Sequence, residues 1–262
     1  MNKIKTIIRK EWAQVFKNRL VLSTVLFMPL LFTAIPLGML YATRGASGEN
    51  LTSDMPPQFA SLCPNGLTGS ECFQVYIVNQ FMILFMMTPL IIPVNIAAYS
   101  VVGEKTTRSL EPLLATPITT AELLIGKNLA AAIPAVVATW AGFFLYVIGA
   151  WILLQSPRVV AALLDPMWWI AVFIVGPLLA ILSVNFALMV SSRINEPRVA
   201  EQLSVVVILP LLGLFFGQIA GLFLINRQLI SLFAMVIAAL DALMVYLAIR
   251  LFQRETILTR WK

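Results

Sequence analysis

The chain contains no histidine, and only 11% of its 262 residues are charged. Without an imidazole, histidine-based acid–base chemistry, histidine metal ligation and Ser-His-Asp triads are all excluded. A soluble domain carries about 25% charged residues, so the shortage of charge argues against a soluble fold. Acidic residues inside the apolar stretches are almost absent. Asp241 is the one carboxylate well inside a long apolar run, so an intramembrane enzyme working with paired aspartates has no second member here.

What the chain has in excess is apolar side chains, 60% of the total, gathered in long runs rather than at helical or strand spacing. Runs of about 18 or more apolar residues read as membrane spans. Cutting the runs at charges and at Pro/Gly clusters gives six, near residues 20–41, 75–102, 128–154, 167–190, 202–225 and 229–251. The expected architecture is therefore all-α and polytopic, a six-helix transmembrane domain over 20–254 with a short tail at 255–262.

The net charge of +6 is explained by where the basic residues lie. With the N-terminus inside, 15 of the 18 Lys and Arg fall on the cytoplasmic side, and only Arg44, Arg158 and Arg227 fall outside. That asymmetry predicts both termini in the cytoplasm of a bacterial inner-membrane protein. No basic stripe interleaved with aromatics is present, so nucleic acid is not an expected partner.

Residues 1–19 form a separate element. Ile4, Ile7, Ile8, Trp12, Val15 and Phe16 recur at helical spacing, with Lys3, Lys5, Arg9, Lys10, Gln14 and Lys17 on the other face. This predicts an amphipathic helix, Glu11 included, lying along the inner surface of the bilayer. The outer loop, residues 43–74, holds both cysteines, Cys63 and Cys72, around a Pro-Asn-Gly turn. On the oxidising side they read as a disulfide, with two free thiols as the alternative.

The segment 103–127, GEKTTRSLEPLLATPITTAELLIGK, falls on the cytoplasmic side. Ser109 to Leu114 reads as a short helix with Leu110, Leu113 and Leu114 on one face, leaving Glu104, Lys105, Arg108 and Glu111 to a partner or solvent. Thr119 or Thr120 with Glu122 reads as the cap of the next helix. Leucines projected into the cytoplasm need a covering surface.

The ordered run Glu104-Lys105-x-x-Arg108-Ser109-Leu110-Glu111-x-Leu113-Leu114-x-Thr116-Pro117-Ile118-Thr119, followed by Glu122-Leu123-Leu124 and Gly126-Lys127, resembles the hallmark segment of ABC transporter permeases of the type-2 exporter class, with the type V exporter fold. One departure is Arg108, where the family often has glycine. The resemblance implies a coupling helix formed by Glu104, Lys105, Thr106, Arg108, Leu110, Glu111, Leu113, Leu114, Thr116 and Pro117, docked on a separate nucleotide-binding ATPase subunit. It implies that Ile4, Ile7, Ile8, Glu11 and Trp12 belong to a connecting helix packed on that same subunit. A second permease, identical or a sister chain, is implied as well, and the second and fifth spans would line the pathway, with Thr88, Asn95 and Gln218 as candidates.

No cofactor is expected in this chain, because ATP and Mg would be bound by the partner. The phosphate-loop pattern G-x-x-x-x-G-K-[ST] fails here: Gly126-Lys127 is followed by Asn128, and Ala121 stands where the first glycine belongs. The implied function is export driven by a borrowed ATPase, the chain itself being no enzyme. The alternatives are a permease-like subunit of a membrane-assembly or cofactor-maturation complex, or an ion-gradient-driven transporter. Two smaller expectations concern the last spans. Asp241 is expected to handle a proton or cation, or to pair with an arginine such as Arg227, and Gly217 to Gly221 suits a short re-entrant segment.

Overall fold

The computed structural model describes residues 2–17, 19–43, 69–106, 118–154, 156–223 and 225–251. Among these residues it consists of helices and connecting turns, with no strand. Helix α1 is Asn2–Val15 and α2 is Arg19–Ala42. Helices α3 (Gly69–Phe85) and α4 (Thr88–Thr106) form one long element broken at Met86 and Met87, and α5 is Thr120–Leu153. Short α6 (Pro157–Leu163) and α7 (Pro166–Ile170) lead through a π-helical turn, Ala171–Val175, into α8 (Gly176–Arg193). Then come α9 (Pro197–Ser204), a 3-10 turn over Val205–Ile208, α10 (Leu209–Ile219) and α11 (Arg227–Leu251).

Six stretches are long and apolar enough to cross a membrane: Val21–Ala42, Gly69–Glu104, Thr120–Leu153, Pro157–Arg193, Pro197–Ile219 and Arg227–Arg250. The second and fourth are the core of the bundle. Every side chain from Ile92 to Ala98 in α4 is buried, and α8 packs against α4, α5 and α11. Lipid tails are as apolar as leucine, so association depends on close packing by small residues. Ala97 and Ala98 on α4, Ala180 and Ala187 on α8, and Ala131 and Ala135 on α5 are all buried and supply it. The outer helices keep large apolar side chains exposed, among them Phe27 and Leu30 on α2, Ile148 and Ile152 on α5, and Met235 and Leu243 on α11. That belt would be a liability in water and is the natural surface in a bilayer.

Prolines interrupt these helices, and three of the carbonyls they strand are filled. A proline supplies no N–H, so the carbonyl that would have received it loses its donor, a serious cost where water is absent. Pro89 strands Phe85 O, and the Thr88 hydroxyl donates to it at 2.7 Å. Pro134 strands Ala130 O, and the Trp12 indole N–H donates to it at 2.9 Å. In the π turn the Gly176 N–H reaches Ala171 O, so the next bond would join residue 177 to Val172 O. Pro177 cannot make it, and Trp140 Nε1 donates to Val172 O instead, at 3.3 Å. Trp169 and Phe173 stack beside this point with ring centroids 5.4 Å apart, pinning the fourth span to the third through Phe143 and Trp140.

Helix α10 stops in a Schellman turn: Leu222 N–H bonds Gly217 O at 2.9 Å and Gly221 N–H bonds Gln218 O at 3.0 Å. Gly221 has φ 70°, the left-handed conformation that only glycine adopts cheaply. The stretch Gly217 to Gly221 thus ends one helix, and no re-entrant helix follows it among the described residues before α11 begins at Arg227. Asp241 does not pair with Arg227. The two are fourteen positions apart on the single helix α11, about 21 Å along its axis at 1.5 Å per residue. Asp241 is buried, and neither carboxylate oxygen has a hydrogen-bond partner among the described residues.

Candidate functional site

Helix α1, the Glu104 end of α4 and the Thr120 end of α5 meet at one end of the bundle. The sequence places α1 there through its own periodicity. Ile7, Glu11 and Val15 are buried at four-residue intervals, while Lys5, Arg9 and Gln14 stay exposed. Gly126 on α5 permits the contact: a Cβ at that position would lie 2.8 Å from Ile7 Cγ2.

Lys127, 4% exposed, is the centre of the site. Its Nζ lies 3.0 Å from Glu11 Oε1 on α1, 2.9 Å from Glu104 Oε2 on α4 and 2.7 Å from Ser100 Oγ. The ammonium donates hydrogen bonds to Glu11 Oε1 and Ser100 Oγ, and Glu104 Oε2 is held beside it as an ion pair. Lys10 adds a second cation, bonded to Glu104 Oε1 and 4.0 Å from Glu11 Oε1. Two carboxylates and two ammoniums therefore balance in a pocket where Glu11, Glu104 and Lys127 are all nearly inaccessible. Burial pushes the Glu11 carboxyl upward, but Lys127 beside it, hydrogen bonds from Ser100 and Lys127, and the charge of Lys10 outweigh this and hold it below the usual value. Removing one member of such a buried group costs about 3–5 kcal/mol, since the remaining charge is left unpaired.

The hub ties together both feet of the connection between α4 and α5. Glu104 is its entry, two residues before α4 ends, and Lys127 lies two turns into α5. The start of α5 is fixed by a capping box: Thr119 Oγ1 accepts from Glu122 N–H at 3.2 Å, and Glu122 Oε2 accepts from Thr119 N–H at 2.8 Å. Outside the hub, exposed Lys3 adds a looser pair with Glu122 at 3.6 Å.

Several sequence expectations change here. Glu104 was expected to face a partner or solvent, but it is 3% exposed, because two cations attract it into the bundle. Glu11 and Trp12, on the helix expected to pack on another subunit, both bond to α5 of this chain, Glu11 to Lys127 and Trp12 to Ala130 O. Lys105 and Thr106 complete the backbone of α4. Arg108, Leu110, Glu111, Leu113, Leu114, Thr116 and Pro117 lie outside the described residues.

The three pathway candidates are all buried within the bundle. Thr88 is engaged with Phe85 O and with the Thr139 hydroxyl, 3.1 Å away. Asn95 sits on the fully packed stretch of α4, and Gln218 is buried with its Oε1 unpaired among the described residues. At the other end of the bundle Cys72 is buried and disulfide-bonded. Its expected partner, Cys63, lies outside the described residues.

Sequence reasoning missed Lys127 as the centre of the hub and Asn128 beside it, whose Nδ2 donates to Asn185 Oδ1 on α8 at 2.6 Å. A lysine two turns inside an apolar helix was the available signal, because such a charge needs a buried partner.

A bundle of six helices long and apolar enough to cross a membrane, with α1 and an ionic hub at the feet of one connection, defines a multi-pass membrane protein. The model of the ABC-2 family transporter proteins matches residues 5–232, and the chain belongs to that family, as a permease subunit of an ABC transporter. No curated protein matches the chain.

Proposed function

We propose that this chain couples ATP hydrolysis on a separate nucleotide-binding subunit to export across the bacterial inner membrane, working with a second permease chain, identical or related. The hub end faces the cytoplasm in this reading, on the strength of the basic residues gathered there. Residues 107–117, which carry the hallmark leucines, dock on the ATPase, and the exposed basic face of α1 lies beside it.

The observation that carries this reading is the double pairing of Lys127 with Glu11 and Glu104. A push on the connection reaches α4 and α5 together through that lysine, and α1 with them, because a buried ion pair resists being opened. The outward apolar faces of α2, α5 and α11 leave ample surface for lipid and for a second permease chain.

The test is purification of the tagged chain from native membranes in mild detergent. An ATPase carrying a phosphate loop is expected to coelute and to hydrolyse ATP. Leu110→Ala combined with Leu113→Ala, which leaves the buried hub intact, should abolish transport-coupled turnover at normal membrane abundance. Normal coupling in that double variant, or no ATPase in the purified material, would defeat the proposal.

A further inference from the structure

We infer that Pro134 is a docking determinant for α1. By freeing one backbone carbonyl, it creates the acceptor through which Trp12 fixes α1 on α5 at a single register.

The chemistry matches one to one. Pro134 lies inside α5 and leaves Ala130 O without its helical donor. Trp12 has one side-chain donor, Nε1, and it sits 2.9 Å from that oxygen. Ala130 is buried, and an open carbonyl away from water is costly, so the acceptor favours a filled state. The chain uses the same device between the third and fourth spans, where Trp140 fills Val172 O opposite Pro177.

The bond also sets the register of the hub. Glu11 and Trp12 are adjacent on α1, while Lys127 and Ala130 are one turn apart on α5, so both contacts form together. Charges attract over several ångströms and tolerate sliding, whereas an N–H···O bond needs alignment. Trp12 is therefore a positioning residue: it keeps α1 moving with α5 as one body. That consequence rests on the coupling reading above, but the docking itself does not.

The experiment is a double-mutant cycle on the full chain in lipid nanodiscs, read by hydrogen–deuterium exchange of residues 2–15. Trp12→Phe should raise exchange about tenfold by stranding Ala130 O. Pro134→Ala should raise it by a similar factor, because the backbone N–H restored at that position then takes the acceptor. The double variant should show no further rise. Benzothienylalanine at position 12, which keeps the ring system and deletes the N–H, should behave like Trp12→Phe. Additive effects, a silent Trp12→Phe, or a benzothienyl variant with normal protection would each overturn the inference. With the ATPase bound, Trp12→Phe should lower kcat for ATP hydrolysis severalfold at unchanged KM, and an unchanged kcat would overturn the positioning role. Exchange is read without the ATPase, so failure of the cycle counts against this inference alone, whereas absence of an ATPase partner counts against the functional reading alone.

Discussion

Lys127 Nζ lies 3.0 Å from Glu11 Oε1, joining the N-terminal helix to the third span across 116 positions of sequence. Both side chains are almost fully buried, and Glu104 closes the group from the end of α4. Three elements remote in sequence are thus held at one point by charge, in a chain where charged residues are scarce. The energetic consequence is asymmetric: the pairing contributes little beyond what apolar packing would, but breaking it from one side is expensive.

Lys127→Met should therefore be more damaging than Glu11→Gln. The first leaves two buried carboxylates sharing Lys10, for a loss of about 3–5 kcal/mol, while the second leaves Lys127 still paired with Glu104. Thermal unfolding of the detergent-solubilised variants checks this, and an equal or smaller loss for Lys127→Met would refute it.

Docking of α1 should survive mild acid. The Glu11 carboxyl is held below its unfolded value, so its contribution is fully present above the unfolded pKa and is lost as pH falls through the lower, folded one. The charged groups that face it are Lys10 on α1, Lys127 on α5 and Glu104 on α4. The protection of residues 2–15, with exchange normalised to the intrinsic amide rate at each pH, should thus stay high at neutral pH and fall only in acid, with a shallower dependence in Glu11→Gln. Protection already lost at neutral pH would contradict the pairing.

Gly126→Ala should lift α1 from α5. The new Cβ would meet Ile7 Cγ2 at 2.8 Å and Ile7 Cβ at 3.0 Å, both close to the α1 backbone. A cost of about 1–3 kcal/mol is expected, as for other overpacked contacts. Ile7→Ala in the same chain should recover part of it by making room, and protease sensitivity near the N-terminus is a direct readout. Failure of the second substitution to help would place the defect elsewhere.

Thr119→Ala should fray the entry of α5. Loss of the hydroxyl removes the bond to Glu122 N–H and half of the capping box, worth about 1 kcal/mol. Faster amide exchange confined to residues 119–123 is expected, with the rest of α5 unchanged. Thr119→Ser should restore wild-type exchange, and if it does not, the cap is not the cause.

Membrane residence, helical class and the number of spans were legible in the sequence, since hydropathy sums residue by residue and needs no knowledge of neighbours. So was the amphipathic face of α1, set by the spacing of Ile4, Ile7 and Ile8, and so was the cap at Thr119 and Glu122, which involves residues three apart. The family followed from one ordered stretch of residues. Only the tertiary structure decided that Glu104 turns inward, that Lys127 is the hub and that Asp241 stands apart from Arg227. Likewise, the sequence locates the carbonyl that Pro134 strands, but the π turn shifts the one opposite Pro177 from Phe173 to Val172, and only packing brings Trp12 to Ala130 and Trp140 to Val172. Local propensities fix which groups need partners, whereas the partner itself is chosen by helix contacts between residues that are distant in the chain.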